Sequence, residues 1–156
     1  MRRILINPEL CSGCKNCLLA CMAEHSREKT VLSLDLEDMA TLSRNLVEPD
    51  MSGKPVPVIC RHCDTPSCVS ACISGAMTKD PDTGIVSSNP QKCAGCWMCV
   101  MSCPYGLVFP DSEGSVALKC NMCSGTKAPR CVEACPTGSI SVYDPEPGIK
   151  TEGGLQ

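Results

Sequence analysis

Cys93-Ala-Gly-Cys96-Trp-Met-Cys99-Val-Met-Ser-Cys103-Pro104 sets its cysteines at the spacing C-x2-C-x2-C-x3-C-P. A short loop can turn three such thiolates toward one metal centre, and this spacing holds a [4Fe–4S] cube whose fourth neighbouring cysteine serves a second cluster. That fourth residue, four positions on, lies about one helical turn away and points elsewhere. Structural zinc takes its thiolates as separated pairs, so a close row of three fits an iron–sulfur cube better.

The pattern recurs along the chain. Cys11-Ser-Gly-Cys14-Lys-Asn-Cys17-Leu-Leu-Ala-Cys21 repeats it, with Gly13 and Gly95 in equivalent places where the backbone is expected to bend close to the cube. Cys60-Arg-His-Cys63-Asp-Thr-Pro-Ser-Cys68-Val-Ser-Ala-Cys72 widens one gap to four residues. Cys120-Asn-Met-Cys123 is followed seven residues later by Cys131-Val-Glu-Ala-Cys135-Pro136. Residues 131–140 repeat 68–77 almost position for position. Four groups of four use all 16 cysteines. Zinc also suits multiples of four and disulfides any even number, but the triplet spacing and the Cys-Pro endings favour four [4Fe–4S] clusters.

Short elements must carry these groups. Residues 3–6 read as a strand stopped by Asn7-Pro8, and a last strand at 140–143 can pair with it. Residues 76–79 and 85–87 flank the turn Asp80-Pro-Asp-Thr-Gly84 as a hairpin, and 107–109 with 116–118 make a second around 110–114. Residues 44–48 read as a strand and 49–53 as a turn, while 31–42 fit either a short helix or a loop with a strand. The cysteine-free stretch 22–56 is expected to be a surface insertion that packs on a partner, or a solvated connector. The tail 145–156 reads as disordered or as a partner-binding extension.

Composition explains why metal matters to the fold. The chain has 156 residues, room for one ordinary domain or two very small ones, and only 3% are aromatic: Trp97, Tyr105, Phe109 and Tyr143. So little large apolar area leaves bound clusters as the core, and the apoprotein is expected to be largely unfolded. The formal charge is −3; four oxidised clusters with their thiolates would take it to about −11. That balance excludes nucleic acid and acidic membrane surfaces and suits a partner with a basic docking face. Arg2-Arg3 before Ile4-Leu5-Ile6 has the look of a twin-arginine leader, but Asn7-Pro8-Glu9 ends the apolar run after three residues, so a basic pair entering a first strand is the expectation. With no apolar stretch near the ~18 residues of a spanning helix, the protein is expected to be soluble, cytoplasmic and without direct membrane insertion.

On Cys-Arg-His-Cys, Cys-Ala-Gly-Cys-Trp-Met-Cys, Cys-Pro-Tyr-Gly and Cys-Pro-Thr-Gly, residues 2–143 resemble the four-cluster iron–sulfur subunits of anaerobic oxidoreductases. That family includes electron-transfer subunits of dimethyl sulfoxide reductase, formate dehydrogenase and formate hydrogenlyase; the short subunit associated with carbon monoxide dehydrogenase is its most similar member. The resemblance implies an α+β fold of two bacterial-type 2[4Fe–4S] ferredoxin-like modules with short hairpins and helices, one inserted in the other. Residues 1–58 and 107–144 would form the outer module and 59–106 the inner one. Carried over by position, one cluster takes Cys11, Cys14, Cys17 and Cys135, and its neighbour Cys120, Cys123, Cys131 and Cys21. Cys60, Cys63, Cys68 and Cys103 hold a third, and Cys93, Cys96, Cys99 and Cys72 the fourth. The chain departs from the family at Ile73, where proline is usual, and in lacking a membrane-anchoring tail.

No nucleophile, phosphate loop or open metal site is legible, so the expected function is electron relay rather than catalysis. The implied partners are a catalytic oxidoreductase subunit, carbon monoxide dehydrogenase first, and a flavoprotein or hydrogenase as second acceptor. A formate, aldehyde or hydrogen-oxidising enzyme is the next partner candidate. The rival readings are a freely diffusing polyferredoxin and a zinc-bearing structural module. His62, between two ligands, is read as a supporting or surface residue rather than an iron ligand, His25 as structural, and Trp97 as packing or as a shield for a cluster. Lys15, Arg61, Lys92 and Lys119 flank cysteines and are expected to be solvated, with cluster charge compensation as the alternative.

Overall fold

The computed structural model describes residues 2–34, 42–111 and 114–143. The expectations for 35–41, for the tip of the 110–114 turn and for the tail lie outside the described residues. The chain forms β1 (Arg3–Ile6), α1 (Asn16–His25), β2 (Leu46–Pro49), β3 (Pro55–Val58), α2 (Ser67–Ser70) and β4 (Met77–Lys79). It continues through β5 (Val86–Ser88), α3 (Met98–Ser102), β6 (Val108–Pro110), β7 (Ala117–Lys119), α4 (Arg130–Glu133) and β8 (Ile140–Tyr143). This is a small mixed domain of short strands and short helices.

The strands pair as four antiparallel two-stranded sheets, β1 with β8, β2 with β3, β4 with β5 and β6 with β7. Three are hairpins that carry the chain from one cysteine group to the next, and the fourth closes the last strand onto the first, with Ile6 opposite Ile140. Each hairpin turn is closed by an aspartate. Asp50 Oδ1 accepts from the N–H groups of Ser52 and Lys54, Asp80 Oδ1 from Asp82 and Thr83, and Asp111 Oδ1 from Ser115 and Val116. Such bonds supply the turn with the partners its backbone would otherwise lack.

The β2–β3 hairpin has a second strand that sequence reading does not give. Pro55 and Pro57 argue against a strand in the middle of a sheet, yet in a two-stranded ribbon every strand is an edge and one side of its backbone needs no partner. The other strands fall within a residue or two of their predicted bounds, and the predicted pairing of first and last strands is present.

Helix length follows from what comes after the fourth cysteine of each group. Pro104 and Gly106 follow Cys103, and α3 stops after five residues; Pro136 and Gly138 follow Cys135, and α4 has four. No proline or glycine follows Cys21 closely, so α1 continues to His25 and runs ten residues. Helix α1 packs on α4, and α2 packs on α3. Two cores result. Cys17, Ile59, Cys131 and Ile140 centre one, with Ile4, Ile6 and Val47 against it. Met77, Cys99, Val108 and Ala117 centre the other, flanked by Val69, Trp97 and Val100. Cysteines are themselves core residues, as a chain so poor in aromatics requires. Among the described residues no helix is long and apolar enough to cross a membrane.

Candidate metal centres

Four cavities are each lined by four cysteines. Cys11, Cys14, Cys17 and Cys135 share one, of about 280 Å3 including its open mouth. Cys21, Cys120, Cys123 and Cys131 share a second, of about 310 Å3. Cys60, Cys63, Cys68 and Cys103 line a third of about 380 Å3, and Cys72, Cys93, Cys96 and Cys99 a fourth of about 300 Å3. Each cavity thus takes three cysteines of one group and the fourth of another. All sixteen are free thiols despite this crowding.

The helices account for the exchange. Along α1, Cys17 faces one cavity and Cys21 the next, four residues and about 6 Å further along the axis. At α4, Cys131 and Cys135 join the same two cavities in the opposite sense. Cys68 and Cys72 at α2, with Cys99 and Cys103 at α3, do the same for the remaining pair.

The loops are shaped by backbone conformation at matching positions. The residue before the second cysteine is left-handed in every group: Gly13 at φ 70°, His62 at 45°, Gly95 at 62° and Met122 at 57°. At Gly95 a Cβ would stand 3.1 Å from the Ser115 carbonyl oxygen, and at Gly13 3.1 Å from Pro55. Glycine is favoured there by close approach as well as by φ. A further signal is Asn7-Pro8-Glu-Leu-Cys11, matched by Asn89-Pro90-Gln-Lys-Cys93. In both, the asparagine side chain caps a 3₁₀ turn that delivers the first cysteine, accepting from Glu9 N at 3.1 Å and Gln91 N at 2.9 Å. That repeat was available in the sequence.

Backbone N–H groups are aimed at sulfur. Arg44 donates to Cys21 Sγ and Met77 to Cys72 Sγ, each at 3.3 Å, while Leu107 donates to Cys103, Ala117 to Cys93 and Met122 to Cys120, each at 3.4 Å. Such bonds favour the thiolate. Burial opposes them. It pushes Cys17 up to about 11 and Cys120 up to about 12, and it raises Cys131 further with help from the neighbouring Cys120 and Cys21. At Cys72 and Cys135 burial also acts upward but is outweighed by hydrogen bonds, from Met77 and Ser74 at the first and Ile140 and Thr137 at the second, so both lie below the ordinary thiol range.

Fixed cations offset the sulfur charge. Lys119, expected in solvent, is 2% exposed, and its ammonium donates to the carbonyls of Val86 at 2.6 Å and Cys120 at 2.8 Å. It lines the Cys60 cavity and partly offsets the burial that raises both Cys68 and Cys120. Arg44, which sequence reading did not single out, lines the Cys21 cavity and donates to the Lys119 carbonyl at 3.2 Å. Lys119 follows the apolar run Val116-Ala-Leu118 on the same strand face as buried Ala117, and nothing in residue type separates it from Lys15 or Lys92. Arg61 stacks on the Tyr105 ring at 4.4 Å, at the rim of the Cys60 cavity. His62 is buried, with burial and nearby Lys119 pushing it down to about 3. His25 lines the Cys21 cavity and is pushed down to about 4, first by burial and then by Arg44. Trp97 lines the Cys93 cavity at the start of α3.

The donor set fits an iron–sulfur cluster. Among the described residues no three His, Cys, Asp or Glu side chains are arranged around a single metal ion, and the thiols instead gather four to a cavity, the number of sulfur ligands that a [4Fe–4S] cube takes. Soft thiolates, amide donors to sulfur and buried cations suit an anionic cluster. Residues 51–144 match the family described as 4Fe-4S dicluster domain. The chain belongs to that family. It is 35% identical over 157 residues to an iron-sulfur protein of Rhodospirillum rubrum, a match spanning 90% of this chain and 81% of that one. Protein NrfC of Escherichia coli K12 is 36% identical over 140 residues, spanning 85% of this chain and 60% of NrfC. The thiosulfate reductase electron transfer subunit PhsB of Salmonella typhi is 31% identical over 148 residues, spanning 88% of this chain and 72% of PhsB. Among solved structures, the active site complex BamBC of benzoyl coenzyme A reductase, as isolated, aligns with a TM-score of 0.51 and 26% identity over 97% of this chain and 84% of that chain. As a member of the dicluster family the chain is an iron–sulfur protein, and [4Fe–4S] clusters are the group its cysteines suit.

Proposed function

We propose that this chain is the electron-transfer subunit of an oxidoreductase complex and holds four [4Fe–4S] clusters, one in each cysteine-lined cavity. The observation that carries this reading is the division of each cysteine pair between two cavities: Cys17 and Cys21 serve neighbouring sites from one turn of α1 to the next, and Cys99 on α3 and Cys103 just past its end do the same. Bound there, a [4Fe–4S] cube takes up and releases one electron at a time with little rearrangement. The chain's own residues hold the sulfurs at that spacing, keep water from Cys120 and Cys131 by burial, and offset charge through Lys119 and Arg44. The two middle sites adjoin at Cys60 and Cys120, whose charges oppose one another, with Lys119 beside both. The Cys11 and Cys93 sites are then the two ends of the relay.

The two helix pairs and two cores support a nested arrangement, with 59–106 as the inner module and 1–58 with 107–144 as the outer one. Val108 and Ala117 pack in the inner core, so the β6–β7 hairpin is the seam between them. The names of PhsB and of the benzoyl coenzyme A reductase complex support a catalytic partner subunit. Carbon monoxide dehydrogenase is the first candidate on the resemblance of the cysteine motifs, with a flavoprotein or hydrogenase as second acceptor, and free thiols in such number suit a reducing cytoplasm. The chain itself turns over no substrate.

Anaerobic purification tests the reading. The expected result is about sixteen iron atoms per chain, broad absorption near ~400 nm that bleaches on reduction, and a large subunit that co-elutes. Colourless protein with zinc sinks it, and a brown chain that elutes alone assigns it to a diffusing shuttle instead.

A further inference from the structure

His62, which lines the cavity of Cys60, Cys63, Cys68 and Cys103, has a buried polar atom that the described residues do not use. His62 stands between two of these cysteines and is 3% exposed. Its Nδ1 accepts the N–H of Val86 at 2.9 Å. A ring nitrogen that accepts carries no hydrogen, so the neutral ring bears its proton on Nε2. Nε2 is fully buried and, among the described residues, has no partner. A buried donor without an acceptor is costly, and native folds rarely keep one without a use.

The backbone strengthens the case. His62 adopts φ 45°, a left-handed conformation uncommon for a residue with a Cβ, and such strain persists where its surroundings over-determine it. Two of the three equivalent positions are Gly13 and Gly95, and the third is Met122. None of these side chains carries an N–H, so this quartet alone among the four has a ring donor at that place in its loop.

We propose that the Nε2–H of His62 donates a hydrogen bond to a sulfur of the cluster held by Cys60, Cys63, Cys68 and Cys103, and so raises that cluster's reduction potential. The direction follows because reduction adds negative charge to the core, and a donor to sulfur stabilises the more negative state. His62 is then a positioning residue, not a ligand. The inference rests on the proposed occupancy of this cavity by a [4Fe–4S] cube.

The test uses the whole chain, prepared anaerobically with its clusters. His62→Asn keeps an acceptor where Nδ1 stood and tolerates the left-handed backbone, but has nothing at Nε2. His62→Gln places an amide N–H near the Nε2 position. With iron content unchanged, His62→Asn is expected to lower one potential by about 59 mV, a tenfold fall in its reduced-to-oxidised ratio at fixed potential, and His62→Gln to restore most of it. All potentials unchanged in His62→Asn overturns the proposal. Should His62→Asn shed the cluster, pulsed electron paramagnetic resonance on His25→Gln protein, where His62 is the one remaining histidine, decides the matter. A weak coupling from labelled imidazole nitrogen, with an exchangeable proton, supports the bond. A strong ligand-type coupling, or none, overturns it. Unaltered protein that binds no iron refutes the occupancy reading itself, a result separate from any of these.

Discussion

The ammonium of Lys119 lies 2.6 Å from the carbonyl oxygen of Val86, with the lysine almost wholly buried between two cysteine quartets. The N–H of the same Val86 donates to His62, so one residue of β5 fixes both a cation and a ring. A buried charge keeps its full influence on adjacent sulfurs, since little water screens it. Lys119→Met therefore lowers the potential of the Cys60 cluster by on the order of 60 mV, and that of the Cys120 cluster in the same direction. It also removes the ammonium's bonds to the buried Val86 carbonyl and the partly buried Cys120 carbonyl, with a cost of about 1–3 kcal/mol for the buried one. Potentiometric titration followed by electron paramagnetic resonance reads the shift; Lys92→Met, on an exposed side chain, is the control and moves nothing.

The shared helices make a prediction that sequence order alone does not. Cys21 is nearest in the chain to Cys17 but lines the cavity of Cys120, Cys123 and Cys131. Cys21→Ser should therefore damage the cluster of the fourth group and spare that of the first, while Cys135→Ser should do the reverse. Each variant is expected to lose between one and four iron atoms per chain. Combining either with Cys14→Ser separates the outcomes: Cys14→Ser with Cys135→Ser damages one cluster, and Cys14→Ser with Cys21→Ser damages two. Equal losses from both pairs would overturn the grouping.

The cysteine groups, the hairpins and the closure of β8 on β1 were legible because each rests on local spacing, turn residues or repeat. Strand β3 was not, because Pro55-Val-Pro-Val is barred from the middle of a sheet and allowed only in a ribbon, a fact of tertiary context. Lys119 and Arg44 escaped for a related reason. Their burial depends on carbonyls of Val86, Cys120 and Lys119 that hairpin packing brings together, over as many as 75 residues of separation. The role open to His62 is visible only once Val86 is seen to occupy one ring nitrogen and, among the described residues, nothing the other.

Two glycines with nearly the same φ should respond differently to a methyl group. Gly95, at φ 62°, faces the Ser115 carbonyl, and Gly75, at φ 66°, has nothing within 4 Å of the Cβ position. Gly75→Ala pays only the left-handed backbone, about 1–2 kcal/mol. Gly95→Ala must also displace the Ser115 peptide, which belongs to a turn tied down by Asp111, and so loses more. Rates of cluster bleaching in denaturant, compared between the two variants, check the order; equal rates would mean that the Ser115 contact is slack.

Helices α1 and α4 are clamped by charge as well as by packing. The Glu24 carboxylate, 9% exposed, accepts from Arg130 Nε at 2.9 Å and Lys29 Nζ at 3.0 Å, and the Arg130 bond is the main reason its pKa lies below the ordinary value of 4.5. A depressed folded-state value means that the stabilisation is complete above the unfolded value and is lost as pH falls through the folded one. Glu24→Gln is expected to cost about 1 kcal/mol at neutral pH, discounted because both cationic partners are substantially exposed. The gap between the two proteins should stay constant from pH 8 down to about 5 and narrow below 4.5. Denaturant midpoints at stepped pH measure it, and a gap that widens in acid contradicts the clamp.

Removal of the metal bears on the fold itself. With Cys17 and Cys131 at the centre of one core and Cys99 in the other, the described interior has sulfur where a larger apolar side chain would ordinarily stand. Four aromatic residues in the whole chain cannot replace that contact, and helices of four or five residues do not persist alone. Crowded thiols also oppose one another's ionisation, as Cys120 and Cys21 oppose that of Cys131. Chelation of iron under argon should therefore abolish the cooperative thermal transition and most of the helical circular dichroism, and rebuilding the clusters should restore both. Helix α1, at ten residues the longest among the described residues, is expected to retain what little signal remains. A chelated chain that kept a sharp melting transition would show that hairpins and Asp-closed turns suffice, and that the clusters are passengers in a fold that stands without them.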